Sequence, residues 1–100
     1  MTKEEFVRSK RWRTSANSLY DYVIKYEGYT AEIIRASGQP VIKWIGGMNS
    51  RTVYPTVYLA VVHRGDDKRS SLIEFKWQDD AKREAFNIIK EWSEEKARTV

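Results

Sequence analysis

The sequence predicts an α+β domain in which an antiparallel sheet of four to five strands packs against a C-terminal amphipathic helix, with a short N-terminal helix or arm. Three observations lead to this prediction. Short apolar segments with a two-residue period follow one another through most of the chain, separated by glycine and proline. The last quarter changes to a helical period. A length of 100 residues, of which 41% are hydrophobic, suits one core, so we expect residues 1–100 to form a single domain.

The chain is expected to begin with a short helix. Thr2 and Glu5 have the spacing of a capping box, in which the hydroxyl and the carboxylate satisfy free backbone N–H groups of the first helical turn. Phe6 and Val7 could dock such a helix, which we expect to run to about Lys10.

Tyr20 to Tyr26 is the first predicted strand, because its residues alternate and are rich in Tyr, Val and Ile. A helix is the alternative for this segment. Asn17 would cap it, the apolar residues also fit a helical spacing, and Gly28 would end it. We favour the strand on composition.

Three further extended segments are separated by Gly- and Pro-containing turns. They are Tyr29–Ala36, Val41–Ile45 and Val53–His63. The last is the richest in β-branched and aromatic residues and is expected to be central to the sheet. Because Pro55 lacks a backbone N–H, its strand should begin just after that residue. Gly46–Thr52 is expected to be a polar loop.

The C-terminal third is expected to hold a turn, a strand and a helix. Gly65–Arg69 is the predicted turn, and Leu72–Trp77 is predicted as a strand. Its dry face would carry Ile73, Phe75 and Trp77. The helix should be capped by Asp79 or Asp80, and its apolar residues recur at helical spacing: Ala81, Ala85, Ile88, Ile89 and Trp92.

Composition excludes several classes of function. The chain has no cysteine, which rules out disulfides, thiolate metal sites and a cysteine nucleophile. No apolar run approaches the roughly 20 residues of a membrane span, and the N-terminus lacks the apolar core of a signal peptide, so a cytoplasmic location is expected. The net charge of +4 favours a polyanionic partner, and most of the excess lies in the N-terminal half.

The strongest candidate for binding is a basic cluster within residues 1–16, a stretch that we expect to be a loose arm. Its cations would neutralise phosphates and its indole would stack on an unpaired base. The cluster comprises Arg8, Lys10, Arg11, Trp12 and Arg13.

Two other basic groups could extend this surface. One falls at a predicted hairpin and comprises His63, Arg64, Lys68 and Arg69. The other flanks the glycine loop and comprises Lys43 and Arg51. All three groups would form one patch if their loops shared one end of the sheet. Four neighbouring tyrosines offer a stacking platform for bases on one sheet face, namely Tyr20, Tyr22, Tyr26 and Tyr29.

An enzymatic alternative rests on the segment from Leu72 to Lys76. Its pattern of two apolar residues, Glu74, one further residue and Lys76 resembles the second half of the motif of PD-(D/E)xK nucleases. The resemblance implies a Mg²⁺-binding carboxylate and an earlier metal-binding acid. The acids nearby are Asp66 and Asp67, which fall in a tight turn where the family has a longer hairpin. His63 is the one histidine, and no nucleophile is paired with it in sequence. We therefore expect no catalytic residue, metal or cofactor.

These observations favour a non-enzymatic module that binds nucleic acid, with single strands preferred. A curved antiparallel sheet followed by a helix is similar to the fold of single-strand-binding transcription coactivators, although fold alone does not fix function. The alternative is a small interaction or inhibitor protein, of the kind encoded by phages and mobile elements, that acts on a host protein. A homodimer could form through a sheet edge or through an exposed Trp92.

Overall fold

The computed structural model describes residues 2–15 and 18–98, without the side chains of residues 15, 18–20 and 98. Two helices and seven strands make up this described part of the chain. In chain order they are α1 (Lys3–Val7), β1 (Arg13–Ser15), β2 (Ser18–Tyr26), β3 (Tyr29–Ser37), β4 (Val41–Gly46), β5 (Asn49–Val53), β6 (Thr56–Arg64), β7 (Asp67–Ser70) and α2 (Gln78–Arg98).

The strands form two separate sheets. The main sheet has five antiparallel strands in the order β1-β2-β3-β6-β7. Strands β4 and β5 pair only with each other, also antiparallel, and are inserted between β3 and β6. The α+β fold with a C-terminal helix is therefore confirmed.

One face of the main sheet is covered by α2. Residues opposite each other in an antiparallel ladder share a face, so the pairings Ile24↔Ala31 and Ala31↔Val62 identify the covered side. The main cluster of buried core residues in the described chain comprises Phe6, Ile24, Tyr26, Tyr29, Ala31, Ile33, Ala60, Val62, Ala81, Ala85, Phe86, Ile88, Ile89 and Trp92. All five residues assigned from sequence to the apolar stripe of the C-terminal helix are among them.

Helix α1 is shorter than expected but capped as expected. The Thr2 hydroxyl accepts a hydrogen bond of 3.2 Å from the backbone N–H of Glu5. The helix ends at Val7 rather than near Lys10. Such a short helix has little stability of its own, and it is held in place by Phe6, which is fully buried among the rings of Trp12, Tyr26 and Phe86.

The segment that ends at Tyr26 is a strand and not a helix. It pairs with β3 from Tyr22 to Tyr26, and its β-branched and aromatic side chains fit that half-buried setting. Asn17, the cap of the helical alternative, lies outside the described residues. Strand β6 begins directly after Pro55 and has neighbours on both sides, as predicted.

Three predictions about secondary structure were wrong. Leu72–Trp77 is not a strand: it contributes one isolated bridge, between Phe75 and Tyr58, and Leu72, Ile73 and Trp77 are exposed. The edge position next to β6 is occupied instead by β7, which contains most of the predicted turn Gly65–Arg69.

The predicted loop Gly46–Thr52 contains most of β5. Ladder pairing needs backbone groups and not apolar side chains. The polar sequences of β5 and β7 therefore concealed two strands.

The β4–β5 hairpin, which we call the ribbon (residues 38–55), projects from one end of the main sheet. Every residue from 39 to 52 is exposed, and no described helix or strand packs broadly against it. The molecule measures 63 × 27 × 26 Å, and its Cα radius of gyration of 16.6 Å exceeds the roughly 13 Å of a compact chain of this length. The ribbon is thus an arm and not part of the core.

Candidate nucleic-acid interface

A cationic cleft lies at the β1 edge of the main sheet. It encloses about 380 Å³ and is lined by Arg11, Arg13, Val23, Ile24 and Lys25. We call it the edge cleft. Three of its five lining residues are cations, and Val23 adds an aliphatic side chain, whereas the side chain of Ile24 belongs to the core.

Register explains why these cations meet. Arg13 pairs with Val23 across β1 and β2, so both side chains are on the face that α2 leaves uncovered. Lys25 follows Val23 by two residues and shares that face. The chain before β1 continues along the same edge, where the Arg11 guanidinium donates a hydrogen bond of 2.9 Å to the backbone carbonyl of Lys25.

The cleft cations have no ion-pair partner among the described residues. The same is true of Arg8 and Lys10 nearby, both of which are exposed. Burial raises the hydroxyl pKa of Tyr26 on the other face of β2, and a hydrogen bond and charge from Glu27 raise it further. A guanidinium has five N–H donors, so Arg11 keeps donors for an anion after binding the Lys25 carbonyl.

Trp12 belongs to the packing of the N-terminal segment. Its indole N–H donates a 2.9 Å hydrogen bond to the carbonyl of Phe6, and its ring meets the Phe6 ring edge-on at 5.3 Å. The Lys82 ammonium lies 4.9 Å from the indole centroid and 5.3 Å from the Tyr22 ring. Burial under these rings lowers the Lys82 pKa, against a smaller opposing influence of Asp79. The indole is half-buried. Trp12 is therefore packed against the domain and is not a fully exposed side chain on a loose arm.

The three basic groups singled out from sequence do not form one patch. The edge cleft and its neighbours lie at the β1 edge, whereas Arg64, Lys68 and Arg69 lie at the β7 edge, roughly 19 Å away across four strand spacings. Lys43 and Arg51 are cross-strand partners on the ribbon, at the opposite end of the sheet from the β6–β7 turn. The condition of a shared end is therefore not met by all three groups: the pairings Lys25↔Thr30, Thr30↔His63 and His63↔Lys68 put the edge cleft and the β6–β7 turn at one end, and the ribbon lies at the other.

Two arginines of the β6–β7 hairpin are engaged with other residues of the chain. Arg64 donates a 3.0 Å hydrogen bond to the Tyr29 hydroxyl and lies over that ring. Arg69 forms an ion pair with Glu95 and lies 4.6 Å from the centroid of Trp92. Trp92 itself is buried, which excludes the exposed Trp92 on which one dimer hypothesis depended.

The predicted tyrosine platform was wrong for its best-described members. Tyr26 and Tyr29 are buried under α2, where their rings pack against Phe86 and Trp92. Tyr22 is half-buried on the same covered face, and the side chain of Tyr20 lies outside the described part of the structure.

The segment that resembles a nuclease motif has no strand geometry. Glu74 and Lys76 are exposed in an irregular segment, and the described residues contain no group of three or more His, Asp or Glu side chains placed to hold a metal ion. His63 Nε2 lies 3.4 Å from a carboxylate oxygen of Glu32 on the uncovered face of the sheet.

Lys25 was missed in the sequence analysis. The alternation of β2 places it opposite the buried Ile24 and Tyr26, but its membership of the cleft depends on the pairing of β1 with β2, which no local pattern reveals.

Comparison with known protein families, curated proteins and solved structures finds no match. No helix within the described ranges is both long and apolar enough to cross a membrane.

Proposed function

We propose that the protein is a non-enzymatic module that binds nucleic acid, single strands in preference to duplex, through the edge cleft. The observation that carries this proposal is the convergence of Arg11, Arg13 and Lys25 on one cleft, without a carboxylate partner among the described residues. All three side chains are exposed, so each can make a charge-assisted hydrogen bond to a phosphate oxygen.

The form of the cleft supports a phosphate-bearing polymer. Its volume of about 380 Å³ falls in the range of small-ligand sites, roughly 300–1,000 Å³, so a nucleotide unit fits where a whole duplex does not. Arg8 and Lys10 continue the positive charge along the chain. The half-buried side chain of Val23 offers an apolar contact to a sugar or base.

The test is a titration of labelled single-stranded DNA, duplex DNA and RNA at several salt concentrations. With about four cations contacting a single strand, the logarithm of the affinity should fall with the logarithm of salt at a slope near −3. Arg13→Ala should weaken binding and reduce the slope by about 0.7.

Lys68→Ala is the matched control, because Lys68 is an exposed cation on the far edge of the same sheet. It should leave the affinity close to that of the unmodified protein. Absence of binding to all three nucleic acids at low salt, or equal losses from Arg13→Ala and Lys68→Ala, would refute the role of the edge cleft.

A further inference from the structure

One acidic side chain lies beside the edge cleft on the uncovered face of the main sheet. Arg13 pairs with Val23, and Val23 pairs with Glu32, so the three side chains form one row across β1, β2 and β3. Neighbouring strands are about 4.8 Å apart, which puts Glu32 two strands, or roughly 10 Å, from Arg13. A carboxylate is therefore the next side chain in the row that begins with a cation of the cleft and continues with its apolar lining residue.

The Glu32 carboxylate is held on one side and unbonded on the other. Its Oε2 lies 3.4 Å from Nε2 of His63, which is diagonally across from it on β6. Lys25, on the opposite diagonal, forms no ion pair with Glu32, and Oε1 has no hydrogen-bond partner among the described residues. The Glu32 side chain is 29% exposed, so a ligand on this face can reach it. An ionised carboxylate accepts hydrogen bonds and donates none.

A nucleotide in the edge cleft would present its base to this carboxylate. With the phosphate on Arg11 and Arg13 and the base over Val23, the edge of the base points to the next strand of the sheet, where Glu32 lies. The Watson–Crick edge of a base is available for such a contact in an unpaired strand, whereas a duplex uses it for pairing. This geometry agrees with the preference for single strands.

Hydrogen-bond chemistry decides which base suits a carboxylate. The Watson–Crick edge of guanine carries two adjacent donors, the N1–H and the N2 amino group, which match the two oxygens of a carboxylate. Adenine and cytosine each offer one amino group beside a ring nitrogen that is itself an acceptor. Thymine and uracil offer one N–H between two carbonyl oxygens, which a carboxylate repels.

We infer that Glu32 is a specificity-determining residue of the edge cleft, where it accepts hydrogen bonds from the Watson–Crick edge of an unpaired guanine. The assignment rests on the proposed binding at the edge cleft and names the base that this site prefers. Selection comes from a penalty as well as a contact, because a base without adjacent donors leaves an uncompensated carboxylate close to the bound strand.

Labelled all-thymine DNA strands of about eight nucleotides, long enough for one small domain, test the inference. One central thymine is replaced by guanine or by hypoxanthine, which is guanine without the N2 amino group, and the affinities are measured by titration. Guanine should bind at least about fivefold more tightly than thymine, as expected for one bidentate contact. Hypoxanthine should lose most of this gain.

Glu32→Gln should bring the guanine and thymine strands to nearly equal affinity, because an amide both donates and accepts and can bond to either base. It should also strengthen binding of the all-thymine strand, since a negative charge beside the phosphates is removed. Glu74→Gln is the matched control. It removes the same charge from an exposed site next to Phe75, which pairs with Tyr58 at the other end of the sheet, and should leave the guanine preference unchanged.

The outcomes separate this inference from the proposed function. Equal affinity for guanine and thymine in the unmodified protein, with binding that Arg13→Ala still weakens, would overturn the role of Glu32 and leave the edge cleft as the binding site. A guanine preference that survives Glu32→Gln, or a hypoxanthine strand that binds as tightly as the guanine strand, would also overturn it. Absence of binding to every strand at low salt would overturn both.

Discussion

Replacement of Phe6 by alanine tests whether the N-terminal segment is part of the domain. The Phe6 ring is fully buried, with its centroid 5.2 Å from that of Phe86, 5.3 Å from Trp12 and 5.6 Å from Tyr26. It is also the main attachment of α1 to the core, since Val7 is the other buried residue of that helix. Phe6→Ala therefore removes a shared contact of three elements.

The expected loss is large for a domain of this size. Truncation of a buried phenylalanine to alanine costs about 3–5 kcal/mol, and the upper part of this range applies because three aromatic neighbours lose their partner. Small domains have a total stability of about 5–15 kcal/mol. The melting temperature should fall by more than about 12 °C, at roughly 4–8 °C per kcal/mol.

Urea unfolding followed by tryptophan fluorescence measures the loss. Phe6→Leu, which keeps much of the volume, should cost only about 1 kcal/mol. Lys10→Ala is a matched control in the same segment, because its side chain is exposed, and should change stability by less than about 0.5 kcal/mol. If Phe6→Ala also cost less than about 1 kcal/mol, α1 would not be docked and the segment would be the loose arm expected from sequence.

Two further predictions concern the base of the ribbon, where Gly38 lies beside Pro55, and the contact between α1 and α2. Gly38→Ala should lower the free energy of unfolding by about 1–3 kcal/mol in the same urea experiment, because the added Cβ would lie 2.9 Å from a methyl group of the stiff Val57 and 3.3 Å from the Pro55 carbonyl oxygen. The hydrogen bond from Arg83 lowers the pKa of the Glu4 carboxyl below 4.5. A depressed carboxyl pKa stabilises the fold above the unfolded value and loses that effect as the pH falls through the folded value, where both values are pKa values of the carboxyl group. The urea midpoint should therefore decline below pH 4.5, and Arg83→Met should reduce this decline.

The elements that local pattern predicted correctly are those in which the pattern and the burial coincide. In β2, β3 and β6 the alternating side chains lie between a helix-covered face and an open one, so periodicity and environment agree. The stripe of α2 from Ala81 to Trp92 is buried as a unit for the same reason. Local sequence was sufficient there because the apolar residues of these elements are the buried ones.

The segment Leu72–Trp77 shows where this reasoning fails. Its alternation is as regular as that of any strand, yet β7 has taken the ladder position beside β6, and the chain returns to it only at Phe75. An apolar period shows that one face of a segment is apolar, but it does not show which element of the fold packs against that face. The exposed Leu72 and Trp77 match this description of an uncovered face.

The candidate site was predicted in part. The cations of the N-terminal cluster were identified by composition, and their side chains are exposed and form no ion pair within the described chain. The burial of Tyr26 and Tyr29, the separation of the basic groups and the membership of Lys25 all depend on strand order. Strand order is a long-range property, and charge and spacing in the sequence do not encode it.

The base of the ribbon, where Gly38 lies beside Pro55, separates the ribbon from the rest of the domain. The backbone N–H of Gly38 donates a 2.7 Å hydrogen bond to the Pro55 carbonyl, which brings the two ends of the insertion together. None of the described core residues comes from the stretch between them. A tight turn could therefore replace the whole insertion and join β3 directly to β6, and the shortened chain would fold around the same centre.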